Sequence, residues 1–175
     1  FIKSSFAFSY FIGWSVTFTI IAYIFSLFNI KERGKLLYHK IIAKVCRRLV
    51  YIMINVKKKI INPQHEKFET PAIIIANHQS SLDILPLIML HPKLLMITNN
   101  RIWNSPLFGK VIRMADYFPA EQIETDLSLV EDRVRNGYSV IIFPEGTRSE
   151  DGVINRFHKG AFYIAEKLNV DILPI

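Results

Sequence analysis

The residues equipped for chemistry fall in two short polar runs. The first, Asn77-His78-Gln79-Ser80-Ser81-Leu82-Asp83, sets a carboxylate five residues after an imidazole. Five residues turn a straight helix by about 140° from the starting face, so His78 and Asp83 would not share a side of one helix. They meet if His78 lies in a turn and Asp83 in the early turns of the helix that follows. A carboxylate beside an imidazole fixes its tautomer and stabilises the imidazolium formed when it takes a proton, which makes His78 a candidate general base toward a hydroxyl. The competing reading of the same run is a helix start, with Ser80 or Ser81 as the cap and His78 hydrogen-bonded in a loop. No second His or Cys stands at zinc-ligand spacing, so no metal site is expected.

The second run is Phe143-Pro144-Glu145-Gly146-Thr147-Arg148-Ser149. It combines a glycine turn, backbone N–H groups and a guanidinium that can bind an oxyanion in a bidentate manner. Taken alone, it reads equally well as a turn with a surface ion pair.

Both runs follow strand-like segments. Pro71-Ala-Ile-Ile-Ile-Ala76, Leu94-Leu-Met-Ile-Thr98, Ser139-Val-Ile-Ile-Phe143 and Asp171-Ile-Leu-Pro-Ile175 are short continuous apolar runs of the kind that make buried strands. Helical patterns lie near 81–90, 106–115, 126–136 and 159–168, with Gly137 as a helix stop. Alternating strands and helices predict an α/β fold, a largely parallel sheet flanked by helices, in which chemistry gathers where strands end and helices begin. Asn62-Pro63-Gln64-His65 reads as a linker opening this globular part, residues 61–175.

The 175 residues are half hydrophobic and 13% aromatic, which excludes a disordered chain, and the lone Cys46 excludes a disulfide-stapled scaffold. The chain starts at Phe1 rather than Met and stops inside a strand-like run, which reads as clipping at both ends. The net charge of +7 is concentrated: residues 31–60 carry ten bases against Glu32, whereas residues 61–175 carry eleven bases and fourteen acids. Ahead of the basic segment, Ser4 to Ile30 holds no acid or base apart from Tyr10 and Tyr23. Those residues would make a helix of roughly 40 Å, longer than the roughly 30 Å of bilayer hydrocarbon. A signal peptide would be shorter and followed by a cleavage site, and a soluble core helix would have to be apolar on all sides. A membrane-embedded helix or re-entrant pair is the reading adopted. From Leu36 to Ile54, apolar residues at 37, 41, 42, 45, 49, 50 and 53 recur at helical spacing among the bases. This predicts a basic amphipathic helix suited to an anionic membrane surface, marking the cytoplasmic side. Residues 1–60 are thus expected to be a membrane-associated unit. A nucleic-acid arm finds no support downstream, where no basic groove or nucleic-acid motif follows.

Taken in this order, the two runs resemble the lysophosphatidic acid (1-acylglycerol-3-phosphate) acyltransferase family. Its His-x4-Asp block stands at His78 and Asp83, and its Phe-Pro-Glu-Gly-Thr-Arg-Ser block is intact at 143–149. Phe157 and Gly160-Ala161 match the segment that follows, and Ile172-Leu-Pro174-Ile resembles the fourth block. The resemblance implies a membrane-bound enzyme of lipid biosynthesis that transfers an acyl group from an acyl thioester, on acyl carrier protein or coenzyme A, to the hydroxyl of a lysophospholipid-like acceptor. His78 would take the hydroxyl proton, Asp83 would orient it, and no acyl-enzyme or further cofactor would be needed. Glu145, Gly146, Thr147 and Arg148 carry over as acceptor-binding residues. Membrane lipids and the thioester carrier are the partners implied, with the catalytic domain on the cytoplasmic side of the inner membrane.

The second block departs from the family. Pro106-Leu-Phe-Gly109 is present, but Asn100-Arg101 stands where a Lys-Glu pair is usual, and Ala120 where an Arg is usual. Arg101 or Arg113 would have to replace the missing cations, or the acceptor lacks a phosphate, as a monoacylated amino-acid lipid does. Two further functions compete: a non-catalytic membrane-binding module, and a thioester hydrolase.

Overall fold

A computed structural model describes residues 2–28, 31–53, 59–62, 64–149 and 153–175. Lys57, Lys58 and Pro63, which figure in the basic segment and linker above, lie outside the described residues. Two long helices come first, α1 (Ile2–Phe25) and α2 (Glu32–Ile52). The remainder alternates: β1 (Ala72–Ile75), α3 (Ile84–Ile88), β2 (Leu94–Thr98), α4 (Asn100–Trp103), α5 (Gly109–Met114), β3 (Phe118–Pro119), α6 (Ile123–Arg135), β4 (Ser139–Ile142), α7 (Gly160–Leu168) and β5 (Asp171–Pro174). The strands form one sheet in the order β3-β2-β4-β1-β5, and every pair is parallel. The α/β fold with a parallel sheet flanked by helices is as the sequence predicts.

The strands are apolar on both sides because both faces are covered. Ile73, Leu95, Val140 and Ile142 pack against Val130 and Val134 of α6 and Ala161, Ile164 and Ala165 of α7. Ile74, Leu94, Met96 and Ile141 face the other way, toward Phe18 of α1, Tyr38 and Val45 of α2 and Leu87 of α3. The first two helices are therefore part of the cover of the sheet.

This changes the reading of α2. Of the apolar positions picked out by periodicity, Val45, Leu49 and Val50 are buried and Ile42 is partly so, together with Tyr38, His39, Ala43 and Cys46. Leu37 and Ile41 are exposed. Periodicity identifies an apolar face without saying what covers it, and here it is largely the protein itself. Polar contacts add to the docking: Lys35 Nζ donates to Asp116 at 2.8 Å, and Arg133 of α6 pairs with both Asp116 and Glu32. Arg33, Lys40, Lys44 and Arg48 remain exposed on the outer side.

α1 is not a buried core helix. Ala7, Phe18 and Ala22 are buried and Tyr10, Trp14 and Ile21 partly so, at spacings of three and four residues that make one inward stripe. The stripe is tied down at its far end, where Thr19 donates its hydroxyl to Leu107 C=O at 2.8 Å and Lys110 sits over the Tyr23 ring. The opposite side exposes Phe6, Phe8, Ile12, Val16, Ile20 and Ile24. Residues Ser5–Phe25 have a mean hydropathy of 1.6, long and apolar enough to cross a membrane by length and composition.

Candidate active site

β1 and β4 are adjacent and parallel, so the two polar runs leave the same edge of the sheet side by side. Past β1 the chain turns and enters a single 3₁₀ turn, Ser81–Asp83, capped by Ser80. Ser80 Oγ accepts the Leu82 N–H at 3.2 Å, and Asp83 Oδ2 reaches back to accept the Ser80 N–H at 2.7 Å and the Gln79 N–H at 2.8 Å. This is a capping box, and it has a second consequence. The same Asp83 oxygen lies 3.2 Å from His78 Nδ1. The two readings of this run are thus compatible: the helix cap is the device that brings Asp83 to His78.

The contact fixes the imidazole. A carboxylate oxygen only accepts, so Nδ1 carries the proton and donates it, which leaves the Nε2 lone pair as the basic site. The His78 side chain is 16% exposed and that of Asp83 31%, so the base reaches solvent while most of its ring is covered. The cover is Phe143, whose ring stacks on the imidazole with centroids 4.1 Å apart and planes 20° from parallel.

The second run holds the backbone of the first. Glu145 is buried, at 3% exposure. Its Oε1 accepts the His78 N–H at 2.9 Å and its Oε2 the Asn155 N–H at 2.9 Å. Hydrogen bonds from the Asn155 and His78 amides hold this carboxyl below the usual range, so it is ionised at neutral pH. The His78 C=O in turn accepts the Ser149 N–H at 2.8 Å. Gly146 makes the turn with φ +72°, and the His158 ring covers it so closely that an added Cβ would lie 3.1 Å from His158 Cδ2. Thr147 and Arg148 are exposed beyond it.

The remaining site positions lie after β2 and β3, two further strands of the same parallel sheet. Asn100 opens α4 and Ala120 opens the 3₁₀ turn after β3, and the Asn100 N–H points at Glu121 Oε1 at 3.4 Å. Arg101 is exposed on α4. Arg113 is engaged elsewhere: its Nη1 donates to Trp103 C=O at 2.7 Å and its guanidinium lies 5.5 Å from the Trp103 ring. It serves the α4–α5 joint. Sequence reasoning missed the Phe143 stack and the two backbone ties on His78. Nothing local signals them, because they join residues more than sixty positions apart.

A model of the acyltransferase family matches residues 50–175, and the chain belongs to that family. Among curated relatives, the chloroplast 1-acyl-sn-glycerol-3-phosphate acyltransferase LPAT1 of Arabidopsis thaliana is 37% identical over 112 residues, 61% of this chain and 32% of that protein. Human 1-acyl-sn-glycerol-3-phosphate acyltransferase beta is 30% identical over 121 residues, 65% of this chain and 44% of that one. The chain thus spans about a third of the length of the chloroplast relative and less than half of the human one. The crystal structure of the 1-acyl-sn-glycerophosphate (LPA) acyltransferase PlsC from Thermotoga maritima superposes with a TM-score of 0.72 at 23% identity, over 99% of this chain and 72% of that chain. At that identity the likeness establishes the fold.

Proposed function

We propose that this protein transfers an acyl group from a thioester, carried by coenzyme A or acyl carrier protein, to the hydroxyl of a monoacylated glycerolipid such as lysophosphatidic acid. The observation that carries this reading is the oriented His78–Asp83 pair at the edge of the sheet, in a chain of the acyltransferase family. Nε2 of His78 removes the acceptor hydroxyl proton as that oxygen attacks the thioester carbonyl. The C–S bond breaks, and the thiolate takes the proton from the imidazolium. The products are an ester and a free thiol, and His78 returns to its starting state. Asp83 stabilises the imidazolium between the two proton transfers. Gly146, Thr147 and Arg148, with Arg101, are the residues we assign to the acceptor head group, and all four are exposed.

Membrane attachment belongs to the same reading. The exposed apolar side of α1 would enter lipid, and the exposed bases of α2 would lie at anionic head groups. Because the inward stripe of α1 is packed on α2 and α5 along its length, the helix lies against the domain and dips into one leaflet. A cytoplasmic membrane, with the catalytic domain on the cytoplasmic side, fits the basic segment.

Thiol release from an acyl thioester tests this reading when measured with lysophosphatidic acid, with phosphate-free monoacylated acceptors and with no acceptor. Release that requires lysophosphatidic acid is expected. Release only with phosphate-free acceptors would mean that Asn100 and Ala120 mark a changed head-group pocket. Equal release without acceptor would make the protein a hydrolase.

A further inference from the structure

We infer that Phe143 and Glu145 are positioning residues for the base, holding His78 in its reactive geometry, and that Glu145 does not contact the acceptor. This rests on the acyl-transfer reading and assigns the Phe-Pro-Glu segment a task distinct from the exposed Thr147-Arg148 that follows it.

A base five residues from its carboxylate, in a turn outside regular structure, needs external support at three places: its N–H, its C=O and its ring. All three supports come from residues 143–149. Glu145 takes the N–H, the Ser149 N–H takes the C=O, and Phe143 lies flat on the imidazole. Phe143 covers one face of the ring and Asp83 holds Nδ1, which leaves Nε2 as the ring nitrogen that can take a proton. Losing the stack frees rotation about the Cβ–ring bond and spreads Nε2 over orientations that cannot reach a hydroxyl held in one place.

Glu145 is withheld from the acceptor by burial, with its carboxylate turned to two backbone amides. It is 3% exposed, and each oxygen already accepts a backbone N–H at 2.9 Å, one from His78 and one from Asn155. A buried carboxylate serving two amides is a clasp between the His78 turn and the 153–158 segment. That segment is fastened again where the His158 N–H donates to Pro144 C=O at 2.7 Å.

The experiment is steady-state kinetics of thiol release by the full chain in mixed micelles, with lysophosphatidic acid as the varied acceptor. The variants are Phe143→Leu, Phe143→Tyr and Glu145→Gln, with Arg148→Ala for comparison. Phe143→Leu and Glu145→Gln are expected to lower kcat by about tenfold or more while the acceptor KM stays within about twofold. Phe143→Tyr, which keeps a stacking ring, is expected to retain most of kcat. An acceptor KM raised about tenfold at unchanged kcat in Glu145→Gln would overturn the assignment, because that is the signature of a lost acceptor ligand. So would an unchanged kcat in Phe143→Leu. Thermal melting reports whether each variant is folded, and Phe143→Leu decides the matter if Glu145→Gln is not. Absence of transfer by the unmutated chain would remove the acyl-transfer reading itself. Turnover by the unmutated chain with unmoved variants would remove only this inference.

Discussion

At the scale of the residue, the central object is one Asp83 oxygen that serves two backbone amides and the His78 ring. In Asp83→Asn the amide oxygen that keeps the two backbone N–H groups also keeps the Nδ1–H of His78, because all three meet one atom. The tautomer is retained, but the negative charge that stabilises the imidazolium is lost. The expected result is a fall in kcat on the order of 10²-fold, with little change in acceptor KM, measured by thiol release. The two polar runs and this pairing were legible because they are local: an imidazole, a cap and a carboxylate within six residues have few ways to meet. The part Glu145 plays was not legible, since its partner amide at His78 lies sixty-seven residues away and only strand pairing brings the two together.

At the scale of the element, the turns that frame the site depend on close backbone approaches. A Cβ on Gly109, which opens α5, would sit 2.5 Å from Trp103 C=O, the oxygen that also accepts from Arg113. Gly109→Ala should therefore destabilise the α4–α5 joint by about 1–3 kcal/mol, as overpacking does. Gly160→Ala at the start of α7, where an added Cβ meets nothing within 4 Å, should stay within about 0.5 kcal/mol. Comparison of the two melting curves checks this.

The docking of α2 gives a second prediction at this scale. His39 is buried against the Tyr138 ring, and its Nε2 has no hydrogen-bond partner among the described residues. Burial, with the nearby charges of Arg133 and Lys35, pushes its pKa down to about 4 from 6.5. The unfolded chain therefore binds a proton near pH 6.5 that the folded chain refuses until about pH 4. Stability from this group is fully present above pH 6.5 and is lost as pH falls through 4, to a total of about 3 kcal/mol. Unfolding of His39→Gln should lack most of this acid-side slope between pH 7 and 4. Four of the five strands were legible as apolar runs. β3 was not, because two residues, Phe118 and Pro119, carry no pattern of their own and are defined by pairing with β2.

At the scale of the whole molecule, the covered sheet and the two N-terminal helices make one body with an apolar side on α1 and a basic side on α2. Sequence composition revealed both properties, but which faces they occupy depends on packing: Leu37 and Ile41 point outward while Tyr38 and Cys46 go in. Strand order was equally out of reach, since the runs look alike until they pair. Replacement of Lys40, Lys44 and Arg48 with Gln should weaken binding to vesicles containing phosphatidylserine by at least about tenfold. Binding to neutral vesicles should change little, because each base near an anionic surface contributes about 1 kcal/mol. Co-sedimentation at low and high salt separates this electrostatic part from the apolar part supplied by α1.

The claim on which the rest depends is that His78 delivers the acceptor hydroxyl directly to the thioester. Its most direct test is rapid mixing of the full chain with an acyl thioester, first alone and then with lysophosphatidic acid, beside a folded His78→Ala variant. Direct transfer predicts no burst of thiol and no acylated protein by mass without acceptor. It also predicts acceptor-dependent release that falls by about 10³-fold or more in His78→Ala. A stoichiometric thiol burst with an acylated chain, or undiminished release by His78→Ala, would contradict it.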